Sequence, residues 1–134
     1  MQRLDFPDQK LPNGLNDCRL QRYAVDYVRR GGMFILDIMM SPPDSDDDPV
    51  YRSAKLLFTG LVFCSLDAPD GKSEFNEREL WVPGVFVLEQ DDLKKKDWET
   101  WVESGEAWAF ALGDLGAYLF VAAKSCRFEW EALG

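Results

Sequence analysis

The stretch RSAKLLFTGLVFCSL, residues 52–66, is the most apolar part of the chain and decides its fold. Apolar side chains occupy both the odd- and the even-numbered positions, which point to opposite faces of an extended chain. This pattern is typical of a strand at the centre of a sheet or covered on both faces. Thr59-Gly60 interrupts the run, and an interior glycine predicts a bulge or a close approach of backbones. On one face we expect Leu57, Leu61 and Phe63, and on the other Ala54, Leu56, Phe58, Val62, Cys64 and Leu66.

The sequence on either side of this strand predicts further β-structure with short connections. Prolines and an Asn-Gly pair indicate an irregular lead-in over residues 1–16. Alternating side chains around a turn at residues 29–32 predict a β-hairpin over 17–40, with a bulge near Gln21. Pro83-Gly84 makes the strand at 80–88 an edge or bulged strand. A final hairpin joins strands at 107–112 and 117–131.

One segment has the pattern of a helix. Asp91 or Asp92 can cap its start, Leu93 to Glu103 continue it, and Ser104-Gly105 end it. No stretch has the alternating strand and helix rhythm of a parallel sheet. We therefore predict one α+β, β-rich domain over residues 1–134, with about six antiparallel strands in a sheet or sandwich and one helix packed on it.

Composition and charge exclude several classes of function. The 134 residues carry a net charge of −9, which opposes binding to nucleic-acid phosphates and to anionic membranes. The chain contains no histidine, which removes Ser-His and Cys-His catalysis and the commonest zinc ligand. We therefore expect a protein that is not an enzyme and that uses no cofactor.

The three cysteines predict the compartment. Cys18, Cys64 and Cys126 are odd in number, far apart and set among strand-like residues, so we expect reduced, buried thiols. The first residues lack the apolar core of a signal peptide, and no run is long enough to span a membrane. These features predict a cytoplasmic protein.

An acidic loop, residues 41–49 (SPPDSDDDP), is the first candidate site. Asp46, Asp47 and Asp48 could steer a basic partner through their negative field. Together with Asp44 they could instead bind Ca²⁺, with Asp67 and Asp70 completing the site if the two loops meet. The spacing matches no EF-hand, so a solvated loop is the favoured interpretation.

The helical segment carries the second candidate site. Trp98 and Trp101 are three residues apart, and Glu99 and Glu103 lie beside them. Tryptophan is enriched at the energetic centres of protein interfaces, so one of the two could be an exposed anchor. Packing of both rings in the core is the alternative.

Two carboxylates in the first hairpin offer a third possibility. Asp26 and Asp37 interrupt apolar strands, and a pair of carboxylates could share a proton and act as acid and base in a hydrolase. An exposed strand face, with Arg22 or Arg52 as partners, is the favoured interpretation.

Several of these stretches together resemble a known group of proteins. They are Asn16 to Leu20, a tyrosine-rich strand with Asp26, Gly32 to Ile38, and the Gly-interrupted strand Leu57 to Val62. Over residues 15–131 the chain resembles a loose group of small bacterial β-domains, mostly without an assigned function. Some members are thought to be immunity proteins beside polymorphic toxins. Relatives often have His where this chain has Asn16, so no role of that His carries over.

The resemblance and the charge together predict a protein-binding module that acts as an immunity-type inhibitor of a basic toxin. A calcium-binding domain is the alternative, and a carboxylate-based hydrolase is the third possibility.

Overall fold

A computed structural model describes residues 1–42, 46–66, 80–113 and 116–132. Within these ranges the chain forms eight β-strands, a short helix α1 and one 3₁₀ turn at Pro7–Gln9. The strands are β1 Gln2–Arg3, β2 Cys18–Asp26, β3 Gly31–Met39, β4 Tyr51–Leu66, β5 Leu80–Val82, β6 Val85–Val87, β7 Ala107–Leu112 and β8 Ala117–Trp130; α1 is Gln90–Lys95.

The apolar stretch around which the chain was predicted to fold is the central strand β4. It pairs antiparallel with β3 on one side and with β8 on the other. All eight strands belong to one antiparallel sheet, in the order β1-β6-β7-β8-β4-β3-β2-β5. The β-rich, antiparallel fold predicted from the sequence is therefore confirmed.

The interruption at Thr59-Gly60 is a bulge, and it changes which side chains face the core. Gly60 has a left-handed backbone (φ 67°), and the pairing with β8 shifts between Leu61 and Phe63. Leu61 consequently packs in the same core as Phe58, whereas Phe63 packs on the opposite face of the sheet. The prediction that Leu61 and Phe63 share a face was wrong, because the bulge breaks the two-residue alternation.

The sheet curls until its two ends meet. Segment 80–88 pairs with β2 through β5 and with β7 through β6. At the break between β5 and β6, the N–H of Ala111 donates to the carbonyl of Gly84 and the N–H of Gly113 to that of Trp81, both at 3.0 Å. The short strand β1 then adds to the outer side of β6.

The curl encloses the main core. The rings of Phe34 and Phe110 stack with centroids 4.8 Å apart, although β4 and β8 separate their strands in the sheet. Phe58 meets both rings edge-on from β4. A second apolar group, here called the outer cluster, lies on the other face of β7 and β8; its buried members are Leu88, Leu93, Val102, Ala107, Ala109, Phe120 and Ala122.

Three details of the predicted fold differ from the structure. The strand at 80–88 is two strands because Pro83 cannot donate to a ladder, and the lead-in contains β1, so the described residues hold eight strands rather than about six. The helix is also shorter than predicted. It ends at Lys95, and Asp97 adopts a left-handed backbone (φ 58°), so residues 96–101 form turns and residues 102–103 are irregular instead of helical.

Candidate functional site

The turns after α1 place the two candidate tryptophans differently. The N–H of Trp98 donates to the carbonyl of Leu93 at 2.9 Å, which folds the chain back over the outer cluster. The indole of Trp98 meets the ring of Phe63 edge-on, with centroids 4.7 Å apart, and that of Phe120 at 5.2 Å. Trp98 is therefore a packing residue.

Trp101 is the exposed member of the pair. Its N–H donates to the carbonyl of Trp98 at 3.0 Å, and the next residue, Val102, is buried in the outer cluster. These two restraints fix the backbone of Trp101 at the surface and leave 64 % of the residue exposed. A large apolar side chain held out in this way has the character of a binding anchor.

Trp101 stands beside an open cleft of about 470 Å³. The other lining residues are Val62, Phe63, Ser65 and Trp98. Val62 is exposed because it is the extra residue at the register shift that follows Gly60. The bulge of β4 and the turn at 98–101 thus build one surface, here called the aromatic cleft.

The segment that carries Trp101 is rich in acidic residues. Glu99 and Glu103 are exposed on the same segment as Trp101. Between residues 89 and 106 the sequence holds seven acidic residues and three lysines. The ammonium of Lys96 lies over the ring of Phe120, 4.6 Å from its centroid, on the flank of Trp98. This segment therefore has a net negative charge.

The start of α1 fixes the chain that leads to the cleft. Glu89 and Asp92 form a reciprocal capping box, in which the N–H of Glu89 donates to the carboxylate of Asp92 at 2.9 Å. The N-terminal ammonium of Met1 lies 3.0 Å from the same carboxylate. The backbone hydrogen bond first, and then the ammonium, hold the pKa of Asp92 below its usual range.

The aspartates of the acidic loop lie far from the cleft. Asp46, Asp47 and Asp48 are exposed just before the first residue of β4, whereas the cleft lies beside residues 62–65 near its other end. A strand of this length separates the two by roughly 40 Å along the chain. The structure therefore does not bring together the two sets of residues that the sequence suggested as one binding surface.

The two alternatives based on carboxylates receive no support from the described residues. Asp26 lies opposite Gly31 and Asp37 opposite Arg19, so the two carboxylates are at opposite ends of the hairpin, about 20 Å apart. Within the described ranges no three acidic or cysteine side chains come close enough to hold a metal ion. Asp44, Asp67 and Asp70, which the calcium alternative requires, lie outside those ranges.

The three cysteines are free thiols set in strands, as predicted, but only Cys18 is fully buried; Cys64 and Cys126 are half-buried, so the prediction that all three are buried was wrong for these two. Burial raises the pKa of the Cys18 and Cys126 thiols to about 12. Burial also raises the pKa of Cys64, which is less enclosed. A thiol that is hard to ionise is a poor nucleophile, so none of the three has the environment of a catalytic cysteine.

Sequence reasoning missed the contribution of β4 to the aromatic cleft. Val62 and Phe63 were expected to be ordinary strand residues, and neither was predicted to lie near Trp101. The signal was Gly60, since an interior glycine that marks a bulge also marks a place where side chains change faces.

Comparisons with protein-family models, with curated proteins and with solved structures gave no match in any of the three cases. No described helix is both long and apolar enough to cross a membrane.

Proposed function

We propose that this protein is a protein-binding module that holds a basic partner on the aromatic cleft. The observation that carries the proposal is Trp101, which remains 64 % exposed beside the aromatic cleft while a turn hydrogen bond to Trp98 and the burial of Val102 fix its backbone. A large aromatic side chain on a fixed backbone, next to an open cleft, provides contact area without the cost of ordering that backbone on binding.

Charge supports a cationic partner. The whole chain has a net charge of −9, and the segment that carries Trp101 is itself acidic. A negative field speeds the encounter with a basic protein, and an anchor that becomes buried on binding then slows dissociation. With the resemblance to immunity-type domains, these features support inhibition of a basic toxin as the biological role.

The acidic residues differ in their distance from Trp101, and we expect them to act in different ways on a basic partner. Glu99 and Glu103 lie within a few residues of Trp101 and would act at the rim of the interface. Asp46, Asp47 and Asp48 lie several screening lengths away, since the Debye length is about 8 Å at physiological salt. They would contribute to long-range attraction only at low ionic strength.

The test is affinity capture with three immobilised forms of the protein: wild type, Trp101→Ala, and the matched neighbour Thr100→Ala. We expect wild type and Thr100→Ala to retain the same cationic protein, which elutes as salt rises, and Trp101→Ala to lose it. With that partner purified, Trp101→Ala should speed dissociation, whereas Glu99→Lys/Glu103→Lys should slow association.

Three outcomes would contradict the proposal. They are a captured protein that is acidic or neutral, binding that does not respond to salt, and equal retention on Trp101→Ala and wild type. Circular dichroism of each variant shows that the fold is intact, so that a loss of binding is not mistaken for unfolding.

A further inference from the structure

The Asn13-Gly14 pair lies where the lead-in, residues 1–16, meets the end of β3. The side-chain amide nitrogen of Asn13 donates to the carbonyl of Ser41 at 2.7 Å and to the carbonyl of Met39 at 3.2 Å. Backbone carbonyls only accept hydrogen bonds, so this pair of contacts uses both hydrogens of a neutral amide. Asn13 therefore ties the lead-in to residues 26 and 28 positions further along the chain.

The segment that Asn13 holds covers one end of the main core. Leu4, Phe6 and Leu11 pack against the core from the lead-in. The ring centroid of Phe6 lies 5.3 Å from that of Phe128, near the end of β8. The contact at Asn13 thus helps to keep apolar surface at this end of the core out of water.

Asparagine followed by glycine is also the pair most open to deamidation, because glycine has no side chain to shield its backbone nitrogen. In this reaction the nitrogen of Gly14 bonds to the side-chain carbonyl carbon of Asn13. The bond from that carbon to the amide nitrogen breaks, and ammonia leaves with the proton of the Gly14 N–H. Water then opens the cyclic imide at either of its carbonyl carbons and gives aspartate or isoaspartate. Either product carries a carboxylate in place of the amide.

We propose that Asn13 is a deamidation site and that its conversion loosens the lead-in from the end of the main core. A carboxylate has no hydrogen to donate, so the carbonyls of Met39 and Ser41 lose both bonds. The new negative charge also faces these two carbonyl oxygens, which carry partial negative charge themselves. Because ammonia is lost, refolding does not restore the amide, and each conversion is permanent.

The folded state protects Asn13 from this reaction. Two hydrogen bonds hold its side chain, and the N–H of Gly14 donates to the carbonyl of Leu11 at 3.3 Å within a turn. Both groups must leave these partners before the imide can form. The rate of conversion in the folded protein therefore follows the population of molecules in which the lead-in is open.

Asn16 provides a matched control within the same segment. Its side-chain oxygen accepts a hydrogen bond from the guanidinium of Arg3, and a carboxylate accepts such a bond at least as well. Asn13→Asp and Asn16→Asp thus add the same charge to the lead-in, but only Asn13→Asp removes a donor. We expect Asn13→Asp to lower the melting temperature by about 5 °C or more, and Asn16→Asp to change it by less than about 2 °C.

Cleavage by the protease Lys-C after Lys10 reports on the lead-in itself, because a protease requires the chain around its cleavage site to open. We expect Asn13→Asp to be cut after Lys10 at least about threefold faster than wild type, and Asn16→Asp at the wild-type rate.

Deamidation of the wild-type protein gives a further test that does not depend on the folding of a variant. Samples are incubated at pH 8, either folded or in urea, and the peptide that contains Asn13 is followed by mass spectrometry. Conversion should be at least about tenfold slower in the folded protein, and converted molecules should be cut after Lys10 faster than unconverted ones.

Three results would overturn the proposal. They are equal melting temperatures for Asn13→Asp and Asn16→Asp, equal rates of conversion in folded and unfolded protein, and converted molecules whose lead-in resists Lys-C as well as that of wild type.

Discussion

At the residue scale, two tryptophans three positions apart have opposite roles. Trp98 is held between Phe63 and Phe120, whereas Trp101 projects from the turn that Trp98 itself anchors through its carbonyl. A continuous helix would have placed both rings on the same broad side. The left-handed residue Asp97 ends the helical path, and the two side chains diverge as a result.

The cysteines allow a prediction about single side chains. Since burial raises the pKa of Cys18 and Cys126 to about 12, a fraction of only about 10⁻⁴ of each thiol is ionised at pH 8. We expect iodoacetamide to label Cys64 first, Cys126 more slowly and Cys18 last. Peptide mass spectrometry over time, with the urea-unfolded protein as the control, measures the three rates.

The raised pKa of the buried thiols also makes the stability of the fold depend on pH. The ordinary thiol pKa is 9.0, so an unfolded thiol ionises near pH 9, whereas the folded Cys18 stays neutral until about pH 12. Unfolding therefore becomes easier as the pH rises through this window, and the contribution is unchanged below it. Rapid native labelling of all three cysteines, or a disulfide in the purified protein, would contradict the assignment.

At the element scale, the bulge in β4 has the largest effect on which side chains face each apolar cluster. It puts Leu61 into the main core and Phe63 into the outer cluster, so one strand contributes to both. It also exposes Val62 at the aromatic cleft. A regular strand of the same composition could not serve the two clusters and the cleft in this order.

Replacing the bulge glycine tests this interpretation. A Cβ at residue 60 would lie 2.7 Å from the Cβ of Lys124 and 2.5 Å from its Cγ, on a backbone with φ 67°. We expect Gly60→Ala to lower the free energy of unfolding by about 2–4 kcal/mol, from the left-handed backbone and the clash together. Urea unfolding followed by tryptophan fluorescence measures the loss.

Gly105→Ala is the matched control, because Gly105 also has a positive φ, 87°, but open space around the added Cβ. It should cost only about 1–2 kcal/mol. Equal losses for the two variants would mean that the close approach of Lys124 does not matter at the bulge.

At the scale of the whole molecule, closure of the sheet fixes where the binding surfaces lie. Segment 80–88 joins the two ends of the sheet and so encloses the main core. The outer face of β7 and β8 is then covered by α1 and the turns that follow it. The aromatic cleft forms at the margin of that cover. The acidic loop is displaced to the opposite end of β4.

This separation leads to a prediction about calcium. Asp46, Asp47 and Asp48 are exposed, so we expect 1 mM CaCl₂ to change the melting temperature by no more than about 1 °C relative to MgCl₂ at equal concentration. The magnesium control removes the effect of screening the net charge of −9. A large increase that grows with each tenfold in calcium, and disappears in Asp46→Asn/Asp48→Asn, would favour the calcium alternative.

The sequence by itself determined the longer strands and their antiparallel, β-rich arrangement, but not β1 or the division of segment 80–88. Alternation of apolar residues located both hairpins, the bulge near Gln21 and the central position of β4, because these patterns depend on neighbours two residues apart. The absence of histidine and the acidic charge could also be read directly, since they are properties of composition.

Only the tertiary structure decided the length of the helix, the faces of Leu61 and Phe63, and the contact between the turn at 98–101 and β4. Each depends on groups distant in sequence. Packing on the outer cluster fixes the turns after Lys95. The register of β4 with β8 decides that Leu61 points into the main core and Phe63 into the outer cluster.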